Sequence, residues 1–144
     1  MAEDSFDLQR FVTAQSPAWE DACAELREGR KQTHWMWFVF PQLAELGRSA
    51  TAKFYGLSGA DEARAYLAHP ILGERLRTCC EILLQIHQRT AVEIFGTVDA
   101  MKLRSCLTLF AAVSPGEAVF AQCLQRYFGG ESDPMTLSLL AGRS

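Results

Sequence analysis

Residues 29 to 42 read Gly-Arg-Lys-Gln-Thr-His-Trp-Met-Trp-Phe-Val-Phe-Pro-Gln, and they gather two of the chain's three Trp with one of its three His and one of its three Lys. The chemistry on offer is recognition of an anion beside a planar ring. The Arg30 guanidinium, the Lys31 ammonium and the His34 imidazole suit phosphate or carboxylate, while the indole faces of Trp35 and Trp37 suit a stacked ring. With Gln42 just past the aromatic run, these groups make one wall of a ligand site for a nucleotide or nucleotide-sugar. The same residues also have a structural use, because aromatic side chains bury large areas and dominate packing. Phe38 and Phe40 read first as core. Trp35, Trp37 and His34 divide evenly between core and site.

Other chemistries find less support. His34, His69 and His87 are far apart, no HExxH or paired CxxC occurs, and Cys79-Cys80 are adjacent rather than spaced as ligands, so no metal is expected. His69-Pro70 reads as a helix junction rather than a base. Neither the phosphate loop GxxxxGK[ST] nor the dinucleotide fingerprint GxGxxG is present, no nucleophile elbow stands out, and no cofactor is implied. The net charge of −3 is unevenly spread: residues 1 to 28 carry −5, residues 29 to 57 carry +3 and the remainder −1. A broad basic surface for nucleic acid is thus not expected, whereas a small, locally positive pocket is compatible with this balance. No apolar run approaches the roughly 20 residues of a membrane helix, and the acidic N-terminus lacks the order of a secretory signal, which makes the cytoplasm the expected location. Five Cys form an odd set, mostly on apolar helix faces, so a disulfide framework is not expected either.

The elements that must position these groups are helices. At 144 residues and 49% hydrophobic content the chain suits one globular domain, 1–144. Asp4 or Ser5 can cap a first helix carrying Leu8, Phe11 and Val12. Ser16-Pro17 then suggests a second start, with Trp19, Ala22, Cys23 and Leu26 at helical spacing and Gly29 as its stop. Ser58-Gly-Ala-Asp61 opens a short helix that Pro70 ends. Leu72, Leu76, Cys79, Leu83 and Ile86 form the longest inward stripe. Thr90 and Glu93 have capping-box spacing. The segment from Met101 to Val113 is apolar on more than one face, as a central helix would be. Ser114-Pro-Gly-Glu117 combines cap, proline and acid, and Asp133-Pro134 caps a last segment. Residues 35 to 40 suit a short helix ending before Pro41. With no convincing alternating strand, the expectation is an all-α chain of about seven to nine helices and no significant sheet.

The block Gly-Arg-Lys-x-x-His-Trp-Met-Trp-Phe-x-Phe-Pro-Gln resembles the signature of domain-of-unknown-function family 1810, small bacterial and fungal proteins often labelled "calpastatin". Further segments carry the resemblance: Arg10-Phe11 with Ala14-Gln15, then Ala65 to Gly73, Glu93 to Gly96, Lys102-Leu103, Leu107 to Phe110, and Gly130-x-x-Asp133 with Thr136-Leu137. It implies a compact helical domain and no known activity. The "calpastatin" label fits poorly, since a calpain inhibitor of that name is a disordered repetitive chain. Lys102, Thr108, Asp133 and Thr136 stand in the family's later motifs and join the suspects. Two readings follow. In one, Arg30, Lys31 and Lys102 hold an anion, Trp35 or Trp37 stacks a ring, and His34 or Asp133 transfers protons, with Gln42 and Thr136 as further ligand contacts. In the other, residues 34 to 40 seat a peptide or partner helix without catalysis. Convergence of the cations on one pocket favours the first, and a flat apolar patch the second. Neither reading fixes the oligomeric state.

Overall fold

The computed structural model of the protein describes residues 5–142. The described residues hold nine α-helices, one 3-10 turn (Ala44–Leu46), no strand, and an isolated parallel bridge between Leu43 and Leu57. The all-helical expectation is met.

Helix α1 (Gln9–Arg27) corrects the expected break at Ser16-Pro17, because it runs unbroken through Pro17. Proline removes one N–H from the ladder, but Pro17 and Thr13, whose carbonyl loses its donor, both lie exposed where water can replace it. Ser16 does not cap; its Oγ donates back to the Val12 carbonyl at 2.9 Å. Of the two proposed caps for the first helix, Asp4 lies outside the described residues and Ser5 sits in a turn. The buried face of α1 carries Phe11, Gln15, Ala22, Cys23, Glu25 and Leu26.

Arg10 anchors the start of this helix. Its guanidinium donates to the carbonyls of Phe6, Asp7, Phe54 and Gly56 and pairs with Glu62 at 3.0 Å. Glu62 accepts in turn from the Ser58 amide. One side chain thereby joins the N-terminal turn to two later helices, α3 (Ala50–Phe54), capped by Ser49, and α4 (Ala60–Ala68). The short helix α2 (Met36–Val39) ends before Pro41, as its aromatic run and proline predict.

Helix α5 (Leu72–Gln85) begins after His69-Pro70, where His69 Nδ1 accepts from the amides of Ile71 and Leu72 at 3.1 and 3.3 Å. The histidine is a helix-start acceptor, which fits the junction reading. Gly73 is required there, since a Cβ would come within 2.0 Å of the Leu67 carbonyl. Contacts between α1 and α5 advance in step, from Gln15 and Trp19 on Arg75, through Cys23 on Cys79, to Gly29 beside Ile86. The two helices therefore run parallel and end together.

Thr90 and Glu93 form the expected capping box of α6 (Ala91–Phe95), and Gly96, at φ +82°, turns the chain directly into α7 (Thr97–Val113). Helix α7 is the centre: it packs against α4, α6, α8 (Ala118–Phe128) and α9 (Pro134–Ala141), and buries every residue from Ser105 to Phe110. The second correction falls at Ser114. This residue closes α7 rather than opening α8, whose first residue is Ala118. Arg77 holds both oxygens of Glu117, at 2.5 and 3.0 Å, and Ser114 donates to the same carboxylate, so the acid serves a tertiary ion pair in place of a capping box. Asp133 does cap α9, accepting from the Thr136 amide at 3.1 Å.

Candidate functional site

The loop between α1 and α2 is organised by a carboxylate that the sequence reading passed over. Glu25, buried on the inner face of α1, accepts from the amides of Gln32 and Thr33, from Thr33 Oγ1 and from the Trp35 indole at 2.9 Å. Burial alone would raise its pKa, but these donors outweigh it, Thr33 Oγ1 foremost, and hold the carboxyl at about 2. A signal was present: an acid at position 25 falls on the same helical face as Ala22 and Leu26, where a charge needs partners. Trp35 has no exposed surface, and its ring packs among Phe40 and Phe95. It is core, which removes it as a stacking platform.

Lys31 is fixed almost as firmly. Its Nζ donates to the Thr33 carbonyl at 2.6 Å, pairs with Asp99 at 3.0 Å and lies 5.1 Å from the Trp35 ring centroid, with its side chain only 8% exposed. Lys102, one turn beyond Asp99 on α7, approaches the other oxygen of that acid at 3.6 Å and lies 5.1 Å from the centroid of Trp37. The His34 ring is 6.4 Å from the Trp37 ring at an interplanar angle of 31°. His34 and Lys102 therefore lie against the half-buried indole of Trp37, and Asp99 joins Lys102 to Lys31 behind it. Two ammonium groups share one carboxylate, leaving one positive charge before His34 is counted.

The remaining suspects do not join them. Arg30 is exposed, its backbone N–H donating to the Glu25 carbonyl, and among the described residues its guanidinium meets no acid. Gln42 contributes its backbone carbonyl to the Leu57 amide, at the Leu43–Leu57 bridge. Thr136 is fully buried and donates its hydroxyl to Asp133 Oδ2, which also accepts from Ser105. Thr108 accepts from the Asp133 amide and donates to the Arg104 carbonyl. Asp133, Thr136, Ser105 and Thr108 thus form a closed hydrogen-bond cluster fastening α9 to α7. His34 and Asp133, paired as proton-transfer candidates, sit in different clusters.

Two clefts, of about 400 and 460 Å³, lie elsewhere. The first is lined by Arg27, Glu28, Gly29, Gln85, His87 and Arg89. It opens where α1 and α5 end together, and cations are expected at helix C-termini whatever binds nearby. The second lies around Phe6, Ser58 to Glu62 and Leu140. None of the sequence-derived ligand residues lines either cleft. Among the described residues no three His, Cys, Asp or Glu are grouped to hold a metal ion, and no helix is long and apolar enough to cross a membrane.

Fold and site together define a helical scaffold with a cationic aromatic corner at Trp37, and this class has a family. The chain belongs to the family described as "Protein of unknown function (DUF1810)", whose pattern it matches over residues 5–140. It is similar at 49% identity to the conserved hypothetical protein Rv1873 from Mycobacterium tuberculosis, whose crystal structure superposes with a TM-score of 0.94 over 96% of this chain and 99% of that one. No curated protein matches the chain.

Proposed function

We propose that this protein binds a small anionic ligand carrying a planar ring, a nucleotide or an ADP-ribose-like molecule, at the corner formed by His34, Trp37 and Lys102. The observation that carries this reading is the unequal division of charge, two ammonium groups to one carboxylate, beside an indole that keeps solvent exposure. Lys31 and Asp99 are the closer pair, at 3.0 Å, and set the field; Lys102, 3.6 Å from Asp99 and more exposed, is the cation that can turn to a phosphate oxygen. A ring would displace or join His34 on Trp37. Binding is the activity proposed, since His34 and Asp133 do not meet as an acid–base pair.

Thermal-shift titration with ADP-ribose, NAD and mononucleotides tests it. A ligand at one hundred times its dissociation constant adds about 2.7 kcal/mol of stability. The shift should vanish in Lys102→Ala and survive in Arg89→Ala, which alters the first cleft. No shift from any of these anions would end the proposal.

Residues 34 to 40 offer no flat apolar patch for a peptide, since Trp35, Met36, Phe38, Val39 and Phe40 are buried, but one observation favours an interaction surface beside them. Val98 and Met101, 67% and 68% exposed, flank Asp99 and Lys102 on the outer face of α7, and Val92 on α6 is 53% exposed. Apolar side chains around a cation suit an acidic peptide. Met101→Glu would abolish binding of labelled acidic, leucine-rich peptides in fluorescence anisotropy while leaving the nucleotide shift intact.

A further inference from the structure

The cleft where α1 and α5 end holds more positive charge than those two helix ends take up. Cations near a helix C-terminus ordinarily answer its free carbonyls, but several of these carbonyls already have partners. The amides of Glu28, Gly29 and Arg30 turn back onto the carbonyls of Ala24, Leu26 and Glu25, so α1 is closed by its own backbone. From α8, the Tyr127 hydroxyl donates to the Leu83 carbonyl and the Arg126 guanidinium to that of Ile86, which serves the end of α5. Arg27 and Arg89 stand outside this arrangement. Among the described residues neither guanidinium makes an ion pair or a hydrogen bond, and both are exposed on the cleft.

We propose that Arg27 and Arg89 bind the phosphate group of a small phosphomonoester whose hydroxyl-bearing body fills the rest of this cleft. Guanidinium forks match the oxygens of a phosphate, and here two of them come from different elements, the end of α1 and the loop between α5 and α6. Gly29 sets the position of the second. The Arg89 side chain lies across it, so that a Cβ at Gly29 would come within 2.9 Å of Cδ and 3.1 Å of Nε. Charge favours an anion even after the opposing groups are counted. Each helix end carries about half a negative charge and Glu28 a full one, against Arg27, Arg89 and the adjoining Arg126, which leaves the cleft positive before His87 is included.

The remaining lining says what the phosphate is attached to. The Glu28 carboxylate and the Gln85 amide offer oxygen acceptors for hydroxyl groups, and Ile82 and Ile86 supply an apolar floor for carbon. No aromatic side chain lines the cleft, so a nucleobase has nothing to stack on, and the Trp37 corner keeps that role. At about 400 Å³ the cleft falls near the small end of ligand sites, which begin at roughly 300 Å³. Glu28 would also repel a second phosphate. A sugar-sized monophosphate satisfies each of these conditions.

The test is NMR titration of the full chain, labelled with nitrogen-15, using glucose 6-phosphate, inorganic phosphate and glucose as probes, with affinities taken from calorimetry. Glucose 6-phosphate should give saturable amide shifts confined to residues 27–30 and 82–89, inorganic phosphate weaker shifts at the same places, and glucose none. Arg27→Ala and Arg89→Ala should each weaken glucose 6-phosphate binding on the order of tenfold or more, while Lys102→Ala leaves it unchanged. Both arginines are exposed and unpaired among the described residues, so the two variants should unfold in urea at the wild-type midpoint, which keeps loss of binding apart from loss of fold. The assignment is overturned if neither phosphate probe gives a saturable shift, if the shifts centre on the Trp37 indole, if glucose binds as well as its phosphate, or if both arginine variants keep wild-type affinity.

Discussion

Trp35 and Trp37 are two residues apart in one aromatic run, and each has a lysine ammonium 5.1 Å from its ring, yet the two rings sit in different surroundings. Trp35 has its indole N–H on the Glu25 carboxylate, its ring among Phe40 and Phe95, and no exposed surface. Trp37 lies half-buried, with Lys102 and His34 against it. Asp99 links the two, because it takes Lys31 from the first site at 3.0 Å and Lys102 from the second at 3.6 Å. What separates a structural tryptophan from a candidate recognition one here is the identity of the acid behind it. Glu25 is saturated by backbone and side-chain donors within a single loop, whereas Asp99 divides one charge between two cations and leaves the second loosely held.

Removing Trp35 is the harshest way to probe this contrast. Trp35→Ala is expected to cost about 3 to 5 kcal/mol in urea unfolding, because it empties the core and leaves Glu25 short of a donor. If Trp37→Ala costs as much, the contrast is gone; it should cost only about 1 kcal/mol, in keeping with partial burial, while removing any ligand-induced shift. Between these lies acid sensitivity. The Glu25 pKa is lowered in the folded protein, so its stabilising effect is complete above the ordinary carboxylate range and is lost as pH falls toward about 2. Stability should fall by about 2 kcal/mol between pH 5 and pH 2.5 through this group, and Glu25→Gln should flatten that part of the profile while lowering stability at neutral pH. The mildest change is Asp99→Asn. Freed of its acid, Lys102 should bind an anionic ligand several-fold more tightly, as calorimetric titration would show.

Much of the scaffold was legible because its signals are local. The Thr90 and Glu93 capping box, the Asp133 cap and the α5 stripe each need only three or four residues' spacing to be recognised. The misread boundaries are places where context overrides such signals: Arg77 takes the Glu117 carboxylate into a tertiary ion pair, and the Thr13 carbonyl that Pro17 leaves without a donor lies exposed, where water can donate to it. The site divided for the same reason. A continuous aromatic run has no period to say which ring turns inward, so Trp35 and Trp37 were indistinguishable until Glu25 and Asp99 were placed beneath them. Thr136 and Asp133 shared a sequence pattern with Lys102 but belong to the clasp between α7 and α9.

Arg10 has a consequence of another kind. Its guanidinium reaches 44 to 52 residues along the chain, to Phe54, Gly56 and Glu62, while also closing the turn at Phe6 and Asp7. The amide of Ser58, bonded to the same Glu62, can open only when that distant grip loosens. Residues 54 to 62 should therefore exchange their amide hydrogens in concert with the N-terminal turn rather than as an independent loop.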